Sequence, residues 1–388
     1  MLHRDRTETL MNFDLSDEQR ILVDQVRGML TERSAPSRLR SLIDSAQEWD
    51  ELLWRELAEM GLLGITTPEA FGGLGMTELD LGIVSEALGR ANAAVPFFSS
   101  VVLAASAIRL CGSEAQKARW LPAIASGETV FAFAHIEGSG GLDDRPAAKI
   151  TNGRLTGFKS PVADAGCASM AVVVATGADG SVGLAIVDLD QPGVTRTRLA
   201  GFDELRAHYR LDFADAAAET LGAPSVEAEL QELYDRAAIQ AAFEAVGGSE
   251  ACLFMARDYA LQRPIFGRPL AGYQAIKHKL ADVLIGVELA RSSAYHAAWT
   301  ADEDPDALPL AASAARLTAM DAFERAAREN LQVHGGIGYT WEADCHFYYR
   351  RERLLALSLE GRERWARRLM NSLPEAVRSV RPAARKAA

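Results

Sequence analysis

The sequence predicts an α+β chain ordered as helices, then strands, then helices, and three observations carry that expectation. Helical period runs from Leu15 to about Glu128 and returns from about Ser225 to Leu373. Between them, short apolar runs are separated by turn dipeptides, Asn152–Gly153 and Asp179–Gly180, of the kind that close hairpins. The 388 residues, 48% hydrophobic, are enough for two to three cored domains at about 150 residues each.

The first domain, residues 1–128, opens on a Ser16–Gln19 pair spaced as a capping box, with Leu22, Val26, Met29 and Leu30 forming one apolar stripe. A second helix carries Trp49, Leu52, Leu53 and Leu57 and stops at Gly61, before the turn-rich loop TTPEAFGGLG. The uncharged stretch from Ala91 to Ile108 contains Pro96 and falls short of the roughly 20 apolar residues of a spanning helix, so it is expected as buried helix. The middle domain, residues 129–224, is expected to hold strands at Val130–His135, Met170–Ala175, Gly183–Val187 and Tyr209–Phe213. In the third, residues 225–373, Ala-rich helices break at Pro264, at Asp304–Pro305 and at the glycines after His334; residues 374–388 form a basic tail. No repeat is visible.

A formal charge of −12 opposes a broad nucleic-acid or anionic-membrane surface, so an anionic ligand must find a local basic pocket. Cys111, Cys167, Cys252 and Cys345 lie far apart in no metal-binding spacing, which points to reduced thiols and no metal site. The N-terminus MLHRDRTETLMNF, with Met11 as an alternative start, carries charges where a signal peptide needs apolar residues, so a cytoplasmic location is expected.

Two segments of the third domain carry chemistry. In Arg263-Pro-Ile-Phe266-Gly267, Pro264 disfavours helix at Arg263, ending the preceding helix and leaving a guanidinium fork suited to a diphosphate; Phe266 offers a ring face. A solvated helix corner is the plain alternative. About seventy residues later comes Gln332-Val-His334-Gly335-Gly336-Ile-Gly338. No strand precedes it, so it is not a Rossmann fingerprint, but glycines at a helix end let a backbone or phosphate approach. The alternatives are a plain helix stop and, for His334, a packed imidazole.

Together these segments, RxxFG…Q followed by QxxGGxG, resemble the acyl-CoA dehydrogenase family over nearly the whole chain, as do LWRELAEMGLLGITTPEAFGGLG and Glu86-Ala-Leu-Gly89. The resemblance implies a helical N-terminal domain, a middle β-barrel or sandwich and a C-terminal four-helix bundle. It further implies FAD, bound across a subunit boundary by Arg263, Phe266, Gln274, Gln332, Gly335 and Gly336, and hence a homo-oligomer, dimer or tetramer. The middle domain departs from the family pattern. Where members carry Thr-Glu-Pro and Gly-Ser-Asp, this chain reads His135-Ile-Glu137-Gly138-Ser139-Gly140-Gly141, and after Lys159 it has Ser160-Pro161-Val162-Ala163-Asp164 in place of Trp-Ile-Thr. Glu137, Ser139, Val162 and Ala163 remain the expected flavin neighbours, with a strand-ending turn as the alternative for 161–164.

The family's chemistry requires a carboxylate facing the flavin across the substrate to take the α-proton, and such a base works best in an apolar, desolvated site. Glu360, before Gly361 and after an apolar run, is the candidate. An ungapped count from Gln332 puts Leu359 at that position; the Glu–Gly pair and Arg367 support a one-residue insertion. A surface Glu360–Arg364 i,i+4 pair is the plain alternative. Where a minority of members place the base, this chain has Ala237, and Glu244, about two turns on, stands in reserve.

The resemblance thus implies α,β-desaturation of an acyl-CoA to the trans-2-enoyl-CoA, with an electron-transfer flavoprotein as acceptor; the branch acting on steroid or branched-chain acyl groups is a weaker resemblance. Alternatives are a base-lacking subunit of a hetero-oligomer, a flavin monooxygenase or nitroalkane oxidase on the same fold, and a nucleic-acid-binding relative. For the last, the run Arg350, Arg351, Arg353, Arg362, Arg364, Arg367 and Arg368 is more simply a solvated helix face.

Overall fold

The computed structural model describes residues 14–373, so Met11, the charged N-terminus and the basic tail lie outside the described residues. Helix α1 (Asp17–Arg33) starts where the capping box places it: Ser16 Oγ accepts from the Gln19 amide and the Gln19 side chain accepts from that of Ser16, each at 3.1 Å. Val26 and Leu30 are buried while Leu22 and Met29 pack at the edge. A short helix with no sequence expectation, α2 (Pro36–Asp44), follows, started by Pro at its first position. Then come α3 (Glu51–Glu59), which begins after Trp49 and leaves Leu52 exposed, and α4 (Glu78–Arg90). The Ala91–Ile108 stretch is largely buried, running into a π-helical segment, Phe98–Ala105, that continues as α5 (Ser106–Cys111); α6 (Glu114–Ala125) closes the first part.

The strands are β1 (Phe131–Ala134), β2 (Lys149–Thr151), β3 (Arg154–Ala163), β4 (Met170–Thr176), β5 (Val182–Asp188), β6 (Val194–Arg198), β7 (His208–Ala217) and β8 (Glu219–Leu221). They form one sheet in the order β6-β7-β3-β2-β4-β5-β8, with β1 pairing parallel to β4. Asn152 and Gly153, at φ 50° and 71°, close the β2–β3 hairpin, the geometry that makes this dipeptide a hairpin signal. The four expected strands coincide with β1, β4, β5 and β7. Strands β2, β3, β6 and β8 are too short or too polar to show an apolar run.

The chain then enters α7 (Glu227–Gln262), a hairpin of β9 (Pro264–Ile265) and β10 (Arg268–Pro269), α8 (Gln274–Glu303), α9 (Leu308–His334), α10 (Cys345–Leu357) and α11 (Arg362–Ser372). One continuous core joins the N-terminal helices to the sheet, and a second, lined largely by alanines of α7, α8 and α9, fills the bundle. Among the described residues no helix is long and apolar enough to cross a membrane, and all four cysteines are free thiols.

Small residues set the closest approach. A Cβ at Gly89 of α4 would lie 2.0 Å from the carbonyl oxygen of Glu244 on α7, and one at Gly247 would lie 1.9 Å from that of Glu86. Backbone cannot swing aside as a side chain can. Gly89→Ala is therefore expected to destabilise the fold by about 3 kcal/mol, read as a lower urea midpoint at unchanged slope.

Candidate active site

A cavity of about 310 Å³ lies where the sheet meets α7 and the end of α10. Its walls are mostly apolar, among them Phe98, Leu103, Phe133, Leu142, Leu354 and Leu359. Glu360 lines it. The residue does not sit in a helix: Leu359 and Glu360, at φ 54° and 65°, form a left-handed turn between α10 and α11. Left-handed backbone in a leucine and a glutamate is costly and persists where surrounding contacts enforce it. Two of them are visible. Arg316, fully buried on α9, donates Nη2 to the carbonyls of Leu355 and Ser358, and Trp365 Nε1 donates to the Leu359 carbonyl at 2.9 Å.

The Glu360 carboxylate, 29% exposed, accepts from the Leu142 amide at 2.8 Å and from Arg364 Nη1 at 3.1 Å; Arg364 also pairs with Asp143. The expected i,i+4 contact therefore exists, but it runs from the first turn of α11 back to a residue outside the helix. Gly141 makes the approach possible, since a Cβ there would lie 2.7 Å from Glu360 Oε1. The Glu360 amide has no acceptor among the described residues.

The reserve carboxylate is elsewhere. Glu244 is buried in α7, accepting from Arg351 Nη1 and Arg206 Nη2, each at 3.0 Å, while Arg351 Nε reaches Asp203 at 2.6 Å. Burial pushes Glu244 up, but the two guanidinium groups outweigh it and hold the carboxyl below its usual range. A proton acceptor locked between two cations is a structural ion, and Glu244 does not line the Glu360 cavity.

The arginine run is a solvated face only in part: Arg362 and Arg367 are exposed and the Arg353 side chain is partly so, while the others are buried or half-buried. Arg351 and Arg364 are buried, Arg368 pairs with Asp235, Arg362 with Asp321, Arg353 with Glu324 and Arg350 with Glu204. Only the tertiary fold supplies those four carboxylates, from segments 29 to 146 residues away.

Of the expected flavin neighbours in the sheet, Ala163 lines the cavity together with Pro161 and Gly138. Val162 is buried on the opposite side of the strand, as strand alternation requires, leaving only its backbone for a ligand. Ser139 is exposed in the turn after Glu137. Glu137 is committed to the protein: Lys159 Nζ reaches it at 2.6 Å, and the amides of Ala147 and Ala148 at 2.7 and 3.0 Å. Burial raises Glu137, and these donors overcome it to leave the group below its usual range. Burial draws Lys159 down to about 8, leaving it cationic at neutral pH. Beyond the strand, Asp164 is buried at φ 58° and takes the Ser99 hydroxyl at 2.6 Å.

The remaining expected residues gather on a different face. Phe266 and Gly267, at φ 48° and 80°, are the two-residue turn of the β9–β10 hairpin, and Phe266 stands 94% exposed. Tyr259, one turn before Arg263, stacks on His334 at 4.2 Å, which ties the RxxFG hairpin to the Gln332–Gly336 turn. His334 is thus packed, with Nδ1 on the Asn330 carbonyl. The side chains of Arg263, Gln274 and Gln332 make no hydrogen bond or ion pair with the described residues. At Gly335 and Gly336 nothing lies within 4 Å of where a Cβ would be. Arg263, Phe266, Gln274, Gln332, Gly335 and Gly336 do not line the Glu360 cavity.

Sequence reasoning singled out neither Tyr234 nor Arg206 and His208, which also line the cavity. His135 was visible only as a departure from a motif. Nothing local in the sequence marks Tyr234 of α7 as a neighbour of the end of β1.

The family model for the acyl-CoA dehydrogenase N-terminal domain matches residues 16–128, and that for the acyl-CoA dehydrogenase C-terminal domain matches residues 228–371. A probable acyl-CoA dehydrogenase, YngJ of Bacillus subtilis, is 32% identical over 89% of this chain and 95% of its own length. Two solved structures are similar throughout. A Tcur3481–Tcur3483 steroid ACAD variant has a TM-score of 0.84 at 31% identity over 93% of this chain and 99% of that one. The ChsE4–ChsE5 complex from Mycobacterium tuberculosis has a TM-score of 0.85 at 30% identity over 94% and 99%.

Proposed function

Because this chain belongs to the acyl-CoA dehydrogenase family, a family of flavin-dependent oxidoreductases, we propose that it is an FAD-dependent enzyme that desaturates an acyl-CoA thioester between Cα and Cβ. The observation that carries the reading is Glu360, held by a left-handed turn at the wall of a largely apolar cavity that also reaches Pro161 and Ala163.

The residues fit the cofactor. On the outer face, Arg263, Gln274 and Gln332 have unspent donors, Gly335 and Gly336 leave their backbone bare, and Phe266 offers an exposed ring. They would hold the diphosphate and adenosine end, and the Gly138 and Pro161–Ala163 segments would meet the ring end. Because these two groups of residues share no cavity in one chain, the cofactor would bridge two chains, which fits an oligomer. Bound FAD supplies the acceptor for the hydride from Cβ.

The chain does the rest. Glu360 takes the α-proton on one of its carboxylate oxygens. Its unpaired backbone amide donates to the thioester oxygen, where negative charge develops as the proton leaves. The leucines and phenylalanines around it exclude water, which strengthens both interactions. Electrons would then pass to an electron-transfer flavoprotein.

The test is direct: purified protein should carry the visible flavin band and lose it anaerobically on addition of an acyl-CoA. A colourless, monomeric protein that takes up no FAD would end the proposal. Removing a charge-assisted contact in Arg263→Ala should weaken FAD binding by about 10- to 100-fold, measured by fluorescence titration of the apoprotein.

A second reading is favoured by one contact. Arg364, only 6% exposed, is bonded to the Glu360 carboxylate, which suits a subunit of a hetero-oligomer whose partner supplies the base. The similarity to a chain of the ChsE4–ChsE5 complex supports it. Flavin bleaching by this chain alone excludes it.

A further inference from the structure

The cavity wall carries one polar pair that the desaturation chemistry does not use. His135, at the end of β1, and Tyr234, on α7, stack with ring centroids 5.6 Å apart and planes 14° apart, and His135 Nδ1 is hydrogen-bonded to the Tyr234 hydroxyl. Phe133 packs edge-on against Tyr234 at 6.4 Å, which fixes the phenol ring. Both residues are buried, and both line the cavity.

We assign the Tyr234 hydroxyl as the donor to Nδ1, its one neighbouring acceptor among the described residues, since the other tautomer would leave the phenol proton facing no acceptor. Neutral imidazole with Nδ1 as acceptor carries its proton on Nε2. That N–H has no protein partner among the described residues. Burial, with Lys159 and Arg364 nearby, lowers His135 to about 3, so the ring is neutral across the physiological range. Of the other polar groups of the wall, Ser99 is engaged by Asp164 and Arg206 by Glu244, while His208 donates Nδ1 to the Arg206 carbonyl, so that in its neutral form its Nε2 is an acceptor and not a donor.

A plain aliphatic chain filling the cavity would strip water from this nitrogen and give it no acceptor, a cost that Leu or Phe in its place would not incur. We propose that the acyl group this cavity takes carries its own acceptor oxygen, a keto or hydroxyl group, and that His135 Nε2–H meets it, with Tyr234 as the positioning residue. The inference deepens the acyl-CoA reading above and rests on it.

The test compares kcat/KM of the flavin-loaded enzyme for hexanoyl-CoA with those for its 4-oxo, 5-oxo and 6-hydroxy derivatives. At least one derivative should exceed hexanoyl-CoA by about tenfold or more, since a site built around a hydrogen bond discriminates against the analogue lacking it. His135→Leu should collapse that ratio toward one, His135→Gln, which keeps an amide donor, should restore part of it, and Tyr234→Phe should lower it. A pair that merely staples β1 to α7 would lower the melting temperature and leave the ratio unmoved. Hexanoyl-CoA used as well as every derivative by the wild-type enzyme overturns the inference and leaves the dehydrogenase reading standing. So does a preference that survives His135→Leu. If none of the four thioesters binds or bleaches the flavin, the dehydrogenase reading falls and takes the inference with it.

Discussion

Glu360→Gln is expected to lower kcat by about a thousandfold or more while FAD stays bound and the fold keeps its stability. The substitution preserves the shape of the side chain and its acceptor oxygen for the Leu142 amide at 2.8 Å, but an amide cannot take a proton. It also leaves Arg364 a second carboxylate, Asp143, so the cation is not orphaned. Stopped-flow flavin reduction on mixing with acyl-CoA measures the step. Reduction at the wild-type rate would remove Glu360 from the chemistry and shift the base to a partner chain. Loss of FAD in the variant would mean that the residue acts structurally.

Glu244→Gln is expected to have the opposite signature, a loss of stability of about 3–5 kcal/mol, with any fall in kcat following from unfolding. Glu244 lies buried between Arg206 and Arg351, and neutralising it leaves Arg206 without its hydrogen-bonded carboxylate. Arg351 keeps Asp203. The same cluster sets an acid limit on the native state. The folded chain holds Glu244 below its usual range, so it stays ionised at pH values where the unfolded chain binds a proton. Its contribution is therefore complete above the ordinary Glu value of about 4.3 and is lost as pH falls through the depressed folded value. Urea midpoints measured down the acid range should fall more steeply for wild type than for Glu244→Gln. Parallel curves would show that the cluster does not couple to folding.

The contrast between these two glutamates shows how far the sequence reaches. Both are candidates by position, and local pattern ranks Glu360 first by the apolar run before it, the Gly361 that follows and the later Arg367. What separates them is the company each keeps: a cavity wall for Glu360, and for Glu244 two arginines from segments 38 and 107 residues away. The same holds for Arg351, Arg364 and Arg368 of the arginine run, which look solvated until Asp203, Asp143 and Asp235 are brought to them. His135 was noticed because it breaks a motif, yet its meaning depends on Tyr234, 99 residues on.

The amino-acid order by itself determined the helix–strand–helix succession, the Ser16 cap, the Asn152–Gly153 turn and the family. These rest on interactions within a few residues, or on motifs whose spacing is constrained by one turn of chain, and such signals survive in a linear reading. The tertiary structure alone decided which carboxylate faces the cavity, which arginines are buried anchors and which imidazole is stacked on a buried phenol at the cavity wall. Those properties are set by desolvation and by charges that neighbour one another only in space, and the energy of burying a group depends on every partner the fold delivers to it.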